Sequence, residues 1–384
     1  MSGLLDLALG SPQIRRVAEN NVRAKREELG LSQKYVAGAV EVSRQSLNAV
    51  ETGRTTPSVA IALKLARVLG SDVEALFGGE LREELDAALG ATVHRAGTRV
   101  LLGSVRERWV AHPLASEQFA PSHYAADGFV RSVSGGRALV ELARPRADLL
   151  ETVFVAGCAP GLSVLTDRLE GAHGPGRFRW LMQANPVALR ALARGHAHIA
   201  GVHLPHDAPQ RLARLITRHL PSERGALYAF ARWEAGLVLS PGNPVRVRDV
   251  RALTRPKLRV ALREQGSGAR VTLTRLLRDE GLDIALLLDN AVATFSHMAV
   301  AQAVQLGAAD VGFSIRAAAL AFGLDFVPLV EERFDLAVPS DLEHDVRIER
   351  LLEVLASGAF QRELAELGYD ARDSGRKVTD VSAA

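Results

Sequence analysis

The stretch Leu31–Phe77 constrains this chain most, because its polar and apolar residues fall where a set of short packed helices would place them. Ser32 precedes Gln33-Lys34-Tyr35-Val36-Ala37, and Ser43 precedes Arg44-Gln45-Ser46-Leu47-Asn48-Ala49-Val50-Glu51. Each serine hydroxyl is placed to accept from the free amides of a first helical turn. Val36, Val42, Leu47 and Val50 then fall on inward faces, while Gln33, Arg44, Gln45 and Asn48 point outward. Two helices joined by a tight turn, the second exposing its early polar residues, can present those residues to base edges in a major groove.

The flanks extend the pattern. Asn20–Leu29 is an amphipathic first helix, and Thr56-Pro57-Ser58 is expected to open another through Leu69 with proline in its first turn. Ser71-Asp72-Val73-Glu74 reads as a capping box for a last short helix ending near Phe77. In this order, with Leu31-Ser32-Gln33, Val42-Ser43-Arg44 and Glu51-Thr52-Gly53-Arg54 together, the stretch resembles the helix-turn-helix DNA-binding domain of the Xre/Cro/C1-type repressors. The resemblance implies a DNA-binding set of Gln33, Ser43, Arg44, Gln45, Ser46, Asn48 and Arg54. Gln33 and Arg54 would touch phosphates, and Arg44, Gln45 and Asn48 would read bases, Arg favouring guanine edges and Asn or Gln adenine. Ser32 and Ser43 are caps first. The bland reading of the group is a solvated polar helix face.

Charge adds a condition. The net charge is only +3 over 384 residues, so there is no broad basic footprint, and useful affinity implies paired half-sites on a near-palindromic operator bound by a homodimer. Arginine greatly outnumbers lysine, which we read as codon bias without functional content. Met1–Pro12 lacks a basic start and contains Asp6, and no apolar run reaches membrane-spanning length, so a cytoplasmic protein without a membrane partner is expected. A single cysteine, Cys158, excludes an intramolecular disulfide and any Cys-rich zinc site.

Length argues for several domains. We expect a multidomain chain: an all-α five-helix helix-turn-helix domain over 13–79, a helix plus β-rich connector over 80–150, and a two-lobed α/β domain over 151–384. In the connector Leu81–Leu89 reads as a short helix. Thr98–Ala111, Gly128–Val133 and Arg137–Ala143 read as strands, with a hairpin at Gly135-Gly136 and Trp109 as a packing anchor. Beyond Glu151, apolar strands alternate with helices, as buried parallel sheets require. Tyr228–Ser240 and Leu324–Val338 are long extended stretches that would cross between lobes, giving lobe one about 151–235 and 335–384 and lobe two about 236–334. The terminal helical pair Ile348–Leu355 and Phe360–Leu367 would pack back on lobe one.

This layout resembles the type II periplasmic-binding-protein fold. Gly157-Cys158-Ala159-Pro160-Gly161, Arg263 through Arg270, His297-Met298-Ala299-Val300-Ala301 and Gly323 through Leu329 are similar to the molybdate-binding-protein-like domain found fused to helix-turn-helix modules. Ala159 departs from the acidic residue common after that cysteine. The resemblance implies a ligand-responsive one-component transcription regulator, with a small effector such as molybdate or a carboxylate-bearing metabolite in the cleft.

In open α/β sheets the crevice lies at the carboxyl ends of the strands. Those ends carry Cys158, Ala159, Gln183, Asn185, Ser267, Gly268, Ala269, Arg270, Ser296, His297 and Ser314. Helix amino termini there offer free amides to an anion, and a bulky side chain at Ser267 is expected to block the crevice. His196, His198, His203 and His206 are closely spaced, the first two alternating on a strand edge, yet nothing completes a metal set. Cys158 would need a base beside it to act as a nucleophile, and sequence does not place His297 there. No cofactor, metal or catalytic residue is assigned. The alternatives are a constitutive DNA-binding protein with a degenerate cleft, or an enzyme built on the α/β domain.

Overall fold

The computed structural model describes residues 15–18, 20–77, 81–114, 125–205 and 225–381. They fall into two compact units, one taking the chain through Leu101 with Ala111–Pro113 and Ala126–Arg146, the other taking Leu102–Val110, Leu114–Ala125 and the chain from Ala147 on. Gly78-Gly79 and His206 lie outside the described residues. No helix among the described residues is long and apolar enough to cross a membrane.

The first unit begins with a strand, β1 (Arg15–Ala18), then five helices: α1 (Val22–Glu28), α2 (Gln33–Ala39), α3 (Arg44–Glu51), α4 (Val59–Val68) and α5 (Val73–Phe77). Val22, Val36, Leu47, Leu65, Leu69 and Leu76 form their shared core. Ser32 accepts from the Tyr35 amide and Ser43 from the Ser46 amide, so both caps form as the sequence suggests. Two local details differ. Ser58 is the N-cap of α4, which leaves Pro57 one residue before the cap rather than in the first turn. Asp72, not Ser71, caps α5, its Oδ1 accepting from the Ala75 amide at 2.6 Å; a carboxylate is the stronger acceptor for the free amides.

The sheet that follows comprises β2 (Leu81–Leu89), β3 (Arg99–Val105), β4 (Arg108–Pro113), β5 (Gly128–Ser134) and β6 (Arg137–Leu142). Its order is β1-β2-β4-β3-β5-β6, and β2 also pairs with β6, which closes the strands into a ring. Leu81–Leu89, expected as a helix, is therefore a strand. Its residues are mostly good helix formers, but Leu85 and Ala87 are buried on either side of exposed Asp86 and pair with Val140 and Ala138, so cross-strand packing overrides propensity. Gly135 and Gly136 both have positive φ, as a two-residue hairpin turn matching strand twist demands. Trp109 is buried, as its anchoring role requires.

Most of the second unit follows α6 (Arg146–Leu150). Its elements are β7 (Thr152–Gly157), α7 (Gly161–Gly171), β8 (Arg177–Met182), α8 (Asn185–Ala193), β9 (Ile199–Pro205), β10 (Gly225–Leu239), β11 (Val260–Arg263), α9 (Gly268–Asp279), β12 (Ala291–Thr294), α10 (His297–Gln305), β13 (Val311–Ile315), α11 (Arg316–Ala321), β14 (Asp325–Pro339), α12 (Val346–Ala356), α13 (Gly358–Glu366) and β15 (Lys377–Val381). They make one mixed sheet of order β12-β11-β13-β10-β14-β9-β7-β8, with β15 on β10. β7 pairs in parallel with β8 and β9, and β11 with β12 and β13, so each lobe holds three parallel strands. β10 and β14 are the expected crossings. They pair antiparallel along nearly their whole length, with register shifts at Ala229/Ala231 and Ala235/Gly236. The terminal helices return to lobe one, where Arg350 of α12 donates to the carbonyls of Leu169, Ala172 and Pro175 at 2.5, 2.6 and 2.7 Å. His196 and His198 lie in the turn before β9 instead of on a strand edge. His198 is buried there, and its Nδ1 accepts from the Phe154 amide at 2.9 Å.

Candidate functional site

In the first unit the outward residues of α2 and α3 form one connected face. Arg44, Gln45, Ser46 and Asn48 are exposed along the start of α3, and Arg54 is exposed after it. Gln33 is half-buried and central: it donates to Glu51 at 2.8 Å and lies 3.5 Å from Asn48 Oδ1, while Arg44 donates to its Oε1 at 3.3 Å. Glu51 is buried and receives Arg26 of α1 at 2.6 and 3.2 Å; Arg26 also donates to the Leu31 carbonyl at 3.0 Å. One buried ion pair thus fixes α1, α2 and α3 against each other and holds Gln33 under Arg44. Ser43 is exposed but committed to capping and to Ser46, its hydroxyl 2.8 Å from that of Ser46. The turn between the helices places Glu41, a non-glycine residue, at φ +63°.

In the second unit a cleft of about 380 Å³ opens between the carboxyl ends of the two sets of parallel strands. Lobe one lines it with Cys158, Met182, Gln183, Ala184, Pro186, Val187 and Arg190, and lobe two with Arg263, Glu264, Gln265, Gly266, Phe295 and Ser296. Cys158, Gln183 and Ser296 are therefore brought to one cavity. The other expected residues do not line it. Ala159 and Ala269 pack in the core. Ser267, buried, caps α9 and donates to the Glu264 carbonyl at 2.9 Å. Asn185 holds the backbone of His203 from both sides, at 2.7 and 3.3 Å. His297 and Ser314 are buried against each other at 3.1 Å. Arg270 is half-buried near the start of α9 and is not on the cavity wall.

Beneath the cleft lies a polar cluster that the pattern did not reveal. Glu332 of β14 is fully buried and accepts from His203 Nδ1 at 3.1 Å, Trp233 Nε1 at 3.0 Å and Thr272 Oγ1 at 2.5 Å. Burial opposes its ionisation, but the His203 charge and these donors hold its pKa down at about 2. Burial likewise opposes charge on His203, yet the charges of Cys158 and Glu332 raise it to about 10. His297 goes the other way: burial, with the charges of Arg263 and His203, lowers it well below the ordinary value, so it stays neutral. Gly268 opens α9 directly over His203, and a Cβ there would lie 2.0 Å from the imidazole; only glycine lets the helix start approach so closely. Arg190 at the rim is exposed, and pairs with no carboxylate among the described residues.

Arg190, Phe295 and the Glu332 cluster carried no sequence signal: Arg190 is the lone charged residue of α8, as an exposed position of any helix can be, and Glu332 sits in a charged run, Glu331-Glu332-Arg333, that reads as solvent-facing. Among the described residues no group of three or more His, Cys, Asp or Glu side chains is arranged to hold a metal ion.

Known proteins match the same division. A helix-turn-helix family model matches residues 22–76, and a PBP superfamily domain model matches residues 166–356. The chain fuses an Xre-type helix-turn-helix domain to a PBP-like domain. The uncharacterized protein YvgK of Bacillus subtilis (strain 168) is 29% identical over 232 residues, 60% of this chain and 74% of its own. An uncharacterized HTH-type transcriptional regulator of Methanothermobacter thermautotrophicus is 44% identical over 57 residues, 15% of this chain and 83% of its own. Among solved structures, the periplasmic molybdate-binding protein of Azotobacter vinelandii aligns with a TM-score of 0.43 at 14% identity, covering 56% of this chain and 98% of its own. The PBP-like domain therefore supplies the cleft, and the helix-turn-helix domain the exposed α3 face.

Proposed function

We propose that this protein is a one-component transcription regulator whose operator affinity is set by a small anionic ligand in the PBP-like cleft. The observation that carries the reading is the pairing, in one chain, of a braced α3 face with a cleft built from strand ends and helix starts. On the DNA side, Arg44, Gln45 and Asn48 are free to reach base edges, while Gln33 braces Arg44 and Arg54 is placed for a phosphate. On the ligand side, the unpaired Arg190 guanidinium and the amide-rich start of α10 at Ser296 favour an anionic group. Met182, Pro186, Val187 and Phe295 line the remaining volume with apolar surface, which suits an organic body carrying a carboxylate or an oxyanion. The protein acts in the cytoplasm as a homodimer on two half-sites, because one helix-turn-helix with so little net charge makes few phosphate contacts.

Calorimetric titration of the full chain with molybdate, sulfate, phosphate and a panel of organic carboxylates and phosphate esters tests the ligand side. One class is expected to bind wild type and to lose at least about tenfold in affinity in Arg190→Glu, since an attractive contact becomes a repulsive one. Failure of every compound would remove the ligand side and leave a constitutive DNA-binding protein.

A further inference from the structure

The Glu332 cluster joins the two lobes. Glu332 lies on the crossing strand β14, paired with Trp233 of β10 on one side and Pro205 of β9 on the other. Its two oxygens serve different parts of the fold. Oε2 accepts from Trp233 at 3.0 Å and from His203 of β9, in lobe one, at 3.1 Å, while Oε1 accepts from the Thr272 hydroxyl of α9, in lobe two, at 2.5 Å. All four side chains are buried. The same imidazole makes a second contact across the lobes. Its Cε1–Nε2 edge faces Gly268, the first residue of α9, so closely that an added Cβ would overlap the ring. Both ends of this link are continuous with the cleft wall. Asn185, which holds the His203 backbone, stands between the wall residues Ala184 and Pro186, and Gly268 follows the wall residue Gly266 by two positions.

Moving α9 away from β9 would break the Thr272–Glu332 bond and lift the start of α9 off His203. Because Oε2 stays bound to Trp233 and His203, the carboxylate cannot follow α9, and its other oxygen is left buried without a donor. An unmade hydrogen bond to a buried charged group is costly, much more so than a bond exchanged with water at the surface. We propose that Thr272, Glu332 and His203, closed over by Gly268, form an internal latch that holds the two lobes together without a ligand, so that the cleft is preformed and a ligand is received by it rather than needed to close it. The latch does not rest on the regulatory reading, since it concerns the domain with its cleft empty.

Cys158, the only cysteine of the chain, borders the cleft and is 7% exposed. A bulky thiol reagent such as the aromatic disulfide DTNB therefore reports separation of the lobes. In the full-length wild type without ligand, the reaction is expected to be far slower than in the urea-unfolded chain. Thr272→Val keeps the shape and removes the hydroxyl, and should raise the native rate by about tenfold or more. Thr272→Ser restores the hydroxyl and should stay within about threefold of wild type. Gly268→Ala wedges α9 from His203 and should speed the reaction through a different contact. Leu351→Ala, a core truncation in α12 away from the latch, should lower the urea midpoint and leave the native rate near that of wild type. A wild-type rate close to that of the unfolded chain overturns the proposal whether or not any variant folds. It is also overturned if Thr272→Val reacts as wild type does, if Thr272→Ser reacts as fast as Thr272→Val, or if Leu351→Ala speeds the reaction as much as Thr272→Val.

Discussion

Glu51 is where a single residue carries the most consequence for the DNA face. It ends α3, is buried, and binds Arg26 and Gln33 at once. Removing one partner of a buried pair leaves the other charge uncompensated. Glu51→Ala should therefore destabilise the first unit by about 3–5 kcal/mol, read as a lower midpoint in urea at an unchanged slope. A loss under about 1 kcal/mol would show the pair to be solvated. Arg44→Ala and Asn48→Ala should leave the fold intact and weaken operator binding by about 1–3 kcal/mol each, relaxing preference at one base position; operator affinity equal to wild type in both would overturn the docking of α3. The exposed trio Arg44, Gln45 and Asn48 was legible because helical periodicity separates outward from inward positions. Glu51 and Arg26 were not, since a charge that finds a buried partner 25 residues away looks in sequence like any solvated one. His203 and Glu332 were hidden for the same reason. Their pH dependence follows from opposite shifts. His203 is raised to about 10, so its contribution is complete below its unfolded value and is lost as pH rises through about 10; Glu332 is lowered to about 2, so its contribution is complete above its unfolded value and is lost as pH falls through about 2. The melting temperature of the second unit should consequently fall between about pH 6.5 and about pH 10 more steeply in wild type than in His203→Gln, and parallel curves would exclude the charged pair.

The helix elements follow local signals closely. Ser32, Ser43, Ser58, Ser267, Ser296 and Ser357 each cap a helix by accepting a backbone amide, and the alternation of apolar strands and amphipathic helices after Glu151 marks the parallel lobes. β2 was not legible, because its register is set by β6 more than fifty residues away. Nor was the direction in which Ser267 points. A cap whose hydroxyl also donates to Glu264 faces into the protein, so a bulky side chain at that position disrupts the start of α9 before it can block a crevice. Ser267→Ala should lower the stability of the second unit by about 1 kcal/mol, the usual cost of a lost cap, without changing the cleft wall. Thermal melts of the variant with and without a cleft ligand check both halves: an unchanged melting temperature, or a ligand shift smaller than that of wild type, contradicts the assignment. The turn at Glu41 offers the converse case. Its positive φ costs a non-glycine residue about 1 kcal/mol, and its exposed pairing with Lys64 returns little. Glu41→Gly should thus be neutral or slightly stabilising, and a marked fall in the midpoint would show that the ion pair matters more than the strain.

Across the whole molecule, the two units hold separate buried clusters, one around Val36, Leu47 and Leu65 and the other around β10, β14 and the parallel strands. Regulation requires that something link them energetically. Within the PBP-like domain the candidates are β10 and β14, which run through both lobes and carry register shifts at Ala229/Ala231 and Ala235/Gly236; a lapse in ladder pairing is where a long strand pair bends most easily. Ligand bound to one arrangement of the lobes shifts operator affinity only by its differential affinity for the DNA-competent and incompetent states, about 1–3 kcal/mol in typical cases. Linkage then makes the effect reciprocal: whatever factor the ligand imposes on operator binding, the operator imposes on ligand binding. The measurement is a closed cycle, with ligand affinity determined by calorimetry with and without a saturating operator duplex carrying half-sites about 34–36 Å apart, and operator affinity determined with and without ligand. The two factors should agree and lie between about five- and 150-fold. Factors of unity on both sides, with tight binding at each site alone, would mean that the cleft and the DNA face work independently, and the regulatory coupling, though neither binding site, would be refuted.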